Sequence, residues 1–199
     1  MKKNILAFCL LLSTCFNCFS QKITETYHSN YWDKDYDIII SPTSDNSDIK
    51  NLSIEVEGKG FKDVELMFDG PQIDDLQNSL IQVKEKYSEW TNVAKQNNVT
   101  DMSKEIPVSI PRFTVAFYGS KWYFHFKTIS KFYFKILSSG TMAIILSEKV
   151  TASSNEYIDE TFYWVFESPE EMSSFINKID KNNLLKKIKE ESNKSDLFK

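Results

Sequence analysis

Arg112, Lys127 and Lys131 are three cations that neighbouring antiparallel strands would set in one row. Thr114, His125 and Tyr133 make the row beside it, and Tyr123 and Lys135 the row beyond. Arg112 is the chain's only arginine. Its planar fork can hold a carboxylate or phosphate through two parallel hydrogen bonds. Tyr123 and Tyr133 would offer flat faces to a sugar or ring. The pattern predicts a basic-aromatic sheet face that binds an anionic small molecule or glycan through Arg112, His125, Lys127, Lys131, Tyr123 and Tyr133. The plainer alternative is a solvated outer face whose lysines blunt sheet edges.

Other chemistry is sparse. The chain has two histidines, and His28, in a polar stretch, has no evident task. No G-x-S-x-G, H-E-x-x-H or phosphate-loop pattern occurs. The five glycines all fall where turns are expected. The acid pairs Asp74-Asp75 and Glu170-Glu171 stand at expected helix starts, where the helix dipole favours negative charge. Asp33, Asp35 and Asp37 alternate, but Ile38 and Ser44 stand where a calcium loop needs Gly and Glu. No metal and no cofactor is therefore expected. The function expected is a non-enzymatic binding or interaction domain. The alternatives are an assembly protein and an unrecognised hydrolase.

The elements that must position the cations are strands. Phe113, Val115 and Phe117 alternate, as do Trp122, Phe124 and Phe126. Reading Gly119-Ser120 as a type II′ turn sets Phe117 opposite Trp122, Val115 opposite Phe124 and Phe113 opposite Phe126. Ser138-Ser139-Gly140 suits a three-residue loop with Gly140 left-handed. It sets Ile136 opposite Met142, Phe134 opposite Ile144, and Phe132 opposite Leu146. A turn at Thr128-Ile129-Ser130 would pair the two hairpins. Phe162, Trp164 and Phe166 share a face of the last strand. Upstream, Tyr36 to Ile40 reads as a strand after an irregular stretch at 21–35, and 41–50 as a loop. Leu52, Ile54 and Val56 face Val64, Leu66 and Phe68 across Gly58-Lys59-Gly60. A three-residue loop with Gly60 left-handed would set Ile54 opposite Val64.

Two helices complete the pattern. Ile73, Leu76, Leu80, Val83, Tyr87, Trp90 and Ala94 form one apolar stripe. It either packs on the chain's own sheet or serves as a partner surface. Asn97-Asn98 ends it. Residues 150–159 form a loop before the last strand. Ser168, Pro169 and Glu171 then make an N-cap, a first-turn proline and a capping box. Met172, Phe175, Ile176 and Ile179 form the buried stripe, with a break near Asp180 and a fraying tail from Glu190. The ending TFYWVFESPEEMSSFINKI resembles the close of pleckstrin-homology-like domains, in which a final strand leads into a helix capping an antiparallel barrel. No function is carried over from so short a segment.

The fold class expected is α+β. An antiparallel sheet of about eight strands, able to curl like a barrel, carries one long helix after its third strand and a C-terminal helix. The 199 residues, 41% hydrophobic, suit one domain at 21–199. The net charge of −4 lacks the basic field of a nucleic-acid binder. Met1 to Ser20 reads as a bacterial-type signal peptide: Lys2-Lys3, an apolar core at Ile5–Leu12, then a polar end. The core is too short to span a membrane, and no later run is longer. Export is expected, to the periplasm or beyond, with Gln21 first. The alternative is a lipoprotein anchored at Cys15, from the lipobox-like Leu12-Ser13-Thr14-Cys15. Cys9, Cys15 and Cys18 all lie in this segment, so the remainder has no thiol chemistry.

Overall fold

The computed structural model describes residues 22–196. The expected signal segment, its cysteines and the lipobox-like run lie outside the described residues. The strands are β1 (Ile23–Ser29), β2 (Lys34–Pro42), β3 (Ile49–Gly58), β4 (Asp63–Asp69), β5 (Met102–Glu105), β6 (Phe113–Tyr118), β7 (Trp122–Thr128), β8 (Phe132–Ile136), β9 (Met142–Thr151) and β10 (Asp159–Phe166). The helices are α1 (Ile73–Gln96), α2 (Pro169–Lys178) and α3 (Lys181–Asp196), with a 3-10 turn at Gly70–Gln72. None is long and apolar enough to cross a membrane.

The α+β reading holds. All strand pairs are antiparallel, and the sheet runs β5-β8-β9-β10-β3-β4-β6-β7 without closing. β3 is a branch point. Residues 49–54 pair with β2, which carries β1, while Glu57 and Gly58 pair with Tyr163 and Phe162 of β10. The sheet curls enough that Phe113 of β6 meets Phe162 of β10, 6.0 Å between ring centroids, although the strands are not neighbours. Inside the curl, Phe132, Trp164, Phe166 and Phe175 pack in tilted and edge-on contacts between 5.2 and 6.5 Å. Each such ring stabilises by roughly 1.5–3 kcal/mol on burial.

Two strands go beyond the eight expected. β1 replaces the irregular stretch at 21–35. Its apolar residues on the buried side are only Ile23 and Tyr27, too few to show alternation. Tyr27 is fixed by stacking on Tyr36 at 5.6 Å and by donating its hydroxyl to Glu55 O at 2.8 Å. β5 is an edge strand with all four residues exposed, so it carries no apolar signal.

The registers divide. The β8–β9 pairing is as expected, including Gly140 at φ 85°. The β3–β4 pairing is two residues away, with Ile54 opposite Leu66 and Val56 opposite Val64. A shift of two keeps every side chain on its face. Gly60 is not left-handed. The β6–β7 pairing is one residue away: Tyr118 faces Trp122, Phe117 faces Tyr123, and Val115 faces His125. Gly119-Ser120-Lys121 is the loop. Gly119 is required by close approach, since a Cβ there would lie 2.7 Å from a ring carbon of Phe61.

The α1 stripe is covered by the chain itself. Ile73, Leu76, Leu80, Val83, Tyr87 and Ala94 are buried. Tyr87 donates to Met142 O at 2.5 Å, and Trp90 meets Phe134 edge-on at 6.0 Å. Ser168 caps α2 by accepting from Glu171 N at 3.0 Å. The Glu171 carboxylate reaches one residue further back than a capping box requires, accepting from Glu167 N at 2.7 Å and also from Asn30 N at 3.0 Å. α3 runs to Asp196, so the residues from Glu190 are helical, and Leu184 and Ile188 are buried beneath its first turns.

Candidate functional site

The one-residue change of register redistributes the expected basic-aromatic face. Tyr123 and His125 turn inward. Tyr123 packs on Phe117 at 5.8 Å and Phe61 at 6.2 Å, and His125 Nδ1 meets Thr151 O at 2.7 Å. β7 does not pair with β8, so no row crosses β6, β7 and β8. Lys131 and Tyr133 lie on β8 and its approach, where both contact Glu105 of β5. The ion pair with Lys131 holds the Glu105 carboxyl below its ordinary range. Of the six expected residues, Arg112 and Lys127 share a concave surface.

That surface is a groove of about 380 Å³ on the outer face of β4, β6 and β7, at the foot of α1. Its size is within the range of ligand pockets. The register places Trp122, Phe124 and Phe126 on this outer face instead of in the core. Phe124 and Phe126 lie parallel, 6.0 Å apart and 7° between planes, and Phe126 is 56% exposed. Asn51, Met67, Asp69, Gln72 and Thr114 complete the lining with Arg112, Phe113 and Lys127.

A β-bulge shapes the groove. Phe113 faces Thr128 and Val115 faces His125, so Phe126 and Lys127 together oppose Thr114. Lys127 takes φ 61°, a left-handed conformation that costs an L-residue about 1–2 kcal/mol. The extra residue re-aims the strand, returning Thr128 to the interior and leaving Lys127 exposed at the groove. Gln72 ties the rim together. Its carbonyl accepts from Asp69 N at 2.9 Å and its amide donates to Arg112 O at 2.9 Å. The backbones that carry the carboxylate and the guanidinium are thereby held in fixed relation.

Among the described residues, Arg112, Lys127 and Asp69 form no ion pair within 4.0 Å, with each other or with anything else. Two cations without an ion pair thus face one groove beside flat apolar rings, with the Asp69 carboxylate at its rim capping the 3-10 turn through the Gln72 backbone. This arrangement can hold an anion, accept a hydrogen bond and pack a planar or apolar surface. Among the described residues no three acids, histidines or cysteines converge on a metal position. His28 has a structural task after all: its Nδ1 meets Asp35 at 2.9 Å and its Nε2 lies 3.6 Å from Asp33, closing the β1–β2 hairpin.

Sequence reasoning missed Glu160. It is 2% exposed, and its carboxylate accepts from the backbone N–H of Lys59 at 2.8 Å, Gly60 at 3.1 Å and Phe61 at 2.6 Å, and from Thr161 at 2.6 Å. The β3–β4 loop is wound around this side chain, which is why Gly60 needs no left-handed turn. The loop in turn seats Phe61 against Phe117 and Tyr123, beneath the strand that bears the groove. The signal was present: Glu160 alternates with Phe162, Trp164 and Phe166, so the period of two aims it inward.

Comparison of the chain with protein-family models, curated proteins and solved structures finds no match. The β10–α2 ending is a strand leading into a capped helix, and no comparison ties it to pleckstrin-homology-like domains.

Proposed function

We propose that this chain is an exported, non-enzymatic binding domain whose groove over the β6–β7 bulge takes a small ligand bearing an anionic group and a flat or apolar face. The observation that carries this reading is the pair Arg112 and Lys127, without ion-pair partners among the described residues, beside the exposed Phe126 ring. Outward aromatic side chains next to unneutralised cations cost solubility and charge repulsion unless something uses them. The leader-like first 20 residues support export, and N-terminal sequencing of chain recovered from the exported fraction should begin at Gln21.

A thermal-shift series with inorganic phosphate, acidic sugars and neutral sugars tests the binding reading. A ligand at 100 times its Kd adds about 2.7 kcal/mol. At about 2–4 °C per kcal/mol, the midpoint should rise by roughly 5–11 °C. The rise should disappear in Arg112→Ala and in Phe126→Ala. A ligand that stabilises both variants as well as the wild type would place binding elsewhere and end this reading.

A further inference from the structure

The groove's chemistry narrows the ligand class. Building on the anion-binding reading above, we infer that the ligand is an acidic sugar, a hexuronate unit of a glycan, and not a phosphate-bearing molecule. Charge comes first. Arg112 and Lys127 stand against Asp69, so the groove keeps one net positive charge. A uronate carries one negative charge. A phosphate monoester carries about −1.5 to −2 at neutral pH and would face the Asp69 carboxylate with an excess.

Hydrogen-bond inventory comes second. An ionised carboxylate only accepts. Asp69 caps the 3-10 turn, its carboxylate accepting from the Gln72 backbone, and it has no cation within 4.0 Å among the described residues, so its remaining lone pairs can accept a ligand O–H. Sugar hydroxyls supply that donor, whereas a phosphate, mostly dianionic at neutral pH, presents chiefly acceptors. Asn51 and Thr114 each present a donor and an acceptor at the same rim, and neither side chain is engaged elsewhere among the described residues. Gln72, by contrast, is spent at both ends and only holds the rim. The floor is the third point. The C–H face of a pyranose is apolar and flat enough to lie on the parallel rings of Phe124 and Phe126. The Arg112 fork then receives the C6 carboxylate through two hydrogen bonds.

Calorimetric titration of the purified chain with three trisaccharides tests this: trigalacturonate, the neutral galactose trimer, and that trimer carrying 6-phosphates. Trigalacturonate should bind at least tenfold tighter than the neutral trimer and at least threefold tighter than the phosphorylated one. Asp69→Asn, which keeps the backbone hydrogen bond to Gln72, should abolish the preference over phosphate. Lys127→Gly should weaken trigalacturonate about tenfold with its thermal midpoint unchanged or raised. Equal or tighter binding of the phosphorylated trimer, lost in Arg112→Ala, would overturn the uronate assignment and leave the anion-binding groove standing. No binding by any of the three, or binding that Arg112→Ala leaves intact, would overturn the uronate assignment. The second result would remove the groove reading with it.

Discussion

Glu160→Ala should be among the most damaging single substitutions outside the aromatic core. The wild-type carboxylate accepts from three successive loop N–H groups and from Thr161, with no cation within 4.0 Å among the described residues. A hydrogen bond to a charged group contributes roughly 1.5–3 kcal/mol where water cannot replace it. Lys59 and Gly60 are exposed, so water recovers most of their share, while Phe61 is half-buried. The expected loss is about 3 kcal/mol, or roughly 6–12 °C in midpoint for a chain of this size. Glu160→Gln keeps one acceptor but turns an NH2 toward backbone donors, and should lose roughly half as much. Urea denaturation is the assay, with the midpoint falling at unchanged slope. Amide exchange should also quicken in β7, because the loosened loop carries Phe61, which lies 5.1 Å from Phe117 and 6.2 Å from Tyr123. A loss under about 1 kcal/mol for Glu160→Ala would show that this carboxylate does not hold the loop.

Two further outcomes are expected. At Lys127, glycine relieves about 1–2 kcal/mol of left-handed strain and gives back roughly 0.5–1 kcal/mol as unfolded-state entropy. Lys127→Gly should therefore be neutral or slightly stabilising in chemical denaturation, whereas Lys127→Ala keeps the strain; a glycine variant clearly less stable than the alanine one would contradict the φ of 61°. At Glu171, burial pushes the carboxyl above its ordinary value, against the lowering effect of hydrogen bonds from Glu167 and Asn30. The folded chain then binds that proton more tightly than the unfolded chain. Its contribution to stability is present below about pH 4.5 and is lost as pH rises through the raised folded value. Wild type should lose stability relative to Glu171→Gln across that window, and a flat difference between the two would remove the assignment.

What was legible in the sequence tracks how much redundancy each element carries. The β8–β9 register follows from three apolar pairs and a glycine at positive φ, all pointing to one alignment. The α2 start follows from Ser168 and Pro169, whose capping roles are local. β3 and β4 could slide by two residues without changing any side chain's face, so the pattern fixed the buried set and left the alignment free. β1 and β5 were invisible because neither carries an alternating apolar stripe; one is held by Tyr27 and the other is an exposed edge. The period of two makes the inward aim of Glu160 legible, but its partners are backbone N–H groups 99 to 101 residues away, which no local pattern encodes.

The β6–β7 hairpin is different, because the rule that failed there bears on function. Maximising apolar pairing would put Trp122, Phe124 and Phe126 in the core opposite Phe117, Val115 and Phe113. The structure instead spends Tyr123 and His125 on the inside and turns those aromatic rings toward solvent. It then adds a bulge with a lysine at φ 61°, a conformation glycine would adopt more cheaply. Exposed aromatic surface and a strained backbone both oppose stability, and they coincide within one groove that also holds two cations without ion-pair partners among the described residues. Natural sequences depart from local consistency chiefly where function requires it. The coincidence of three such departures at Phe126 and Lys127, and not the presence of a cavity alone, is what singles out this groove among the concave surfaces of the protein.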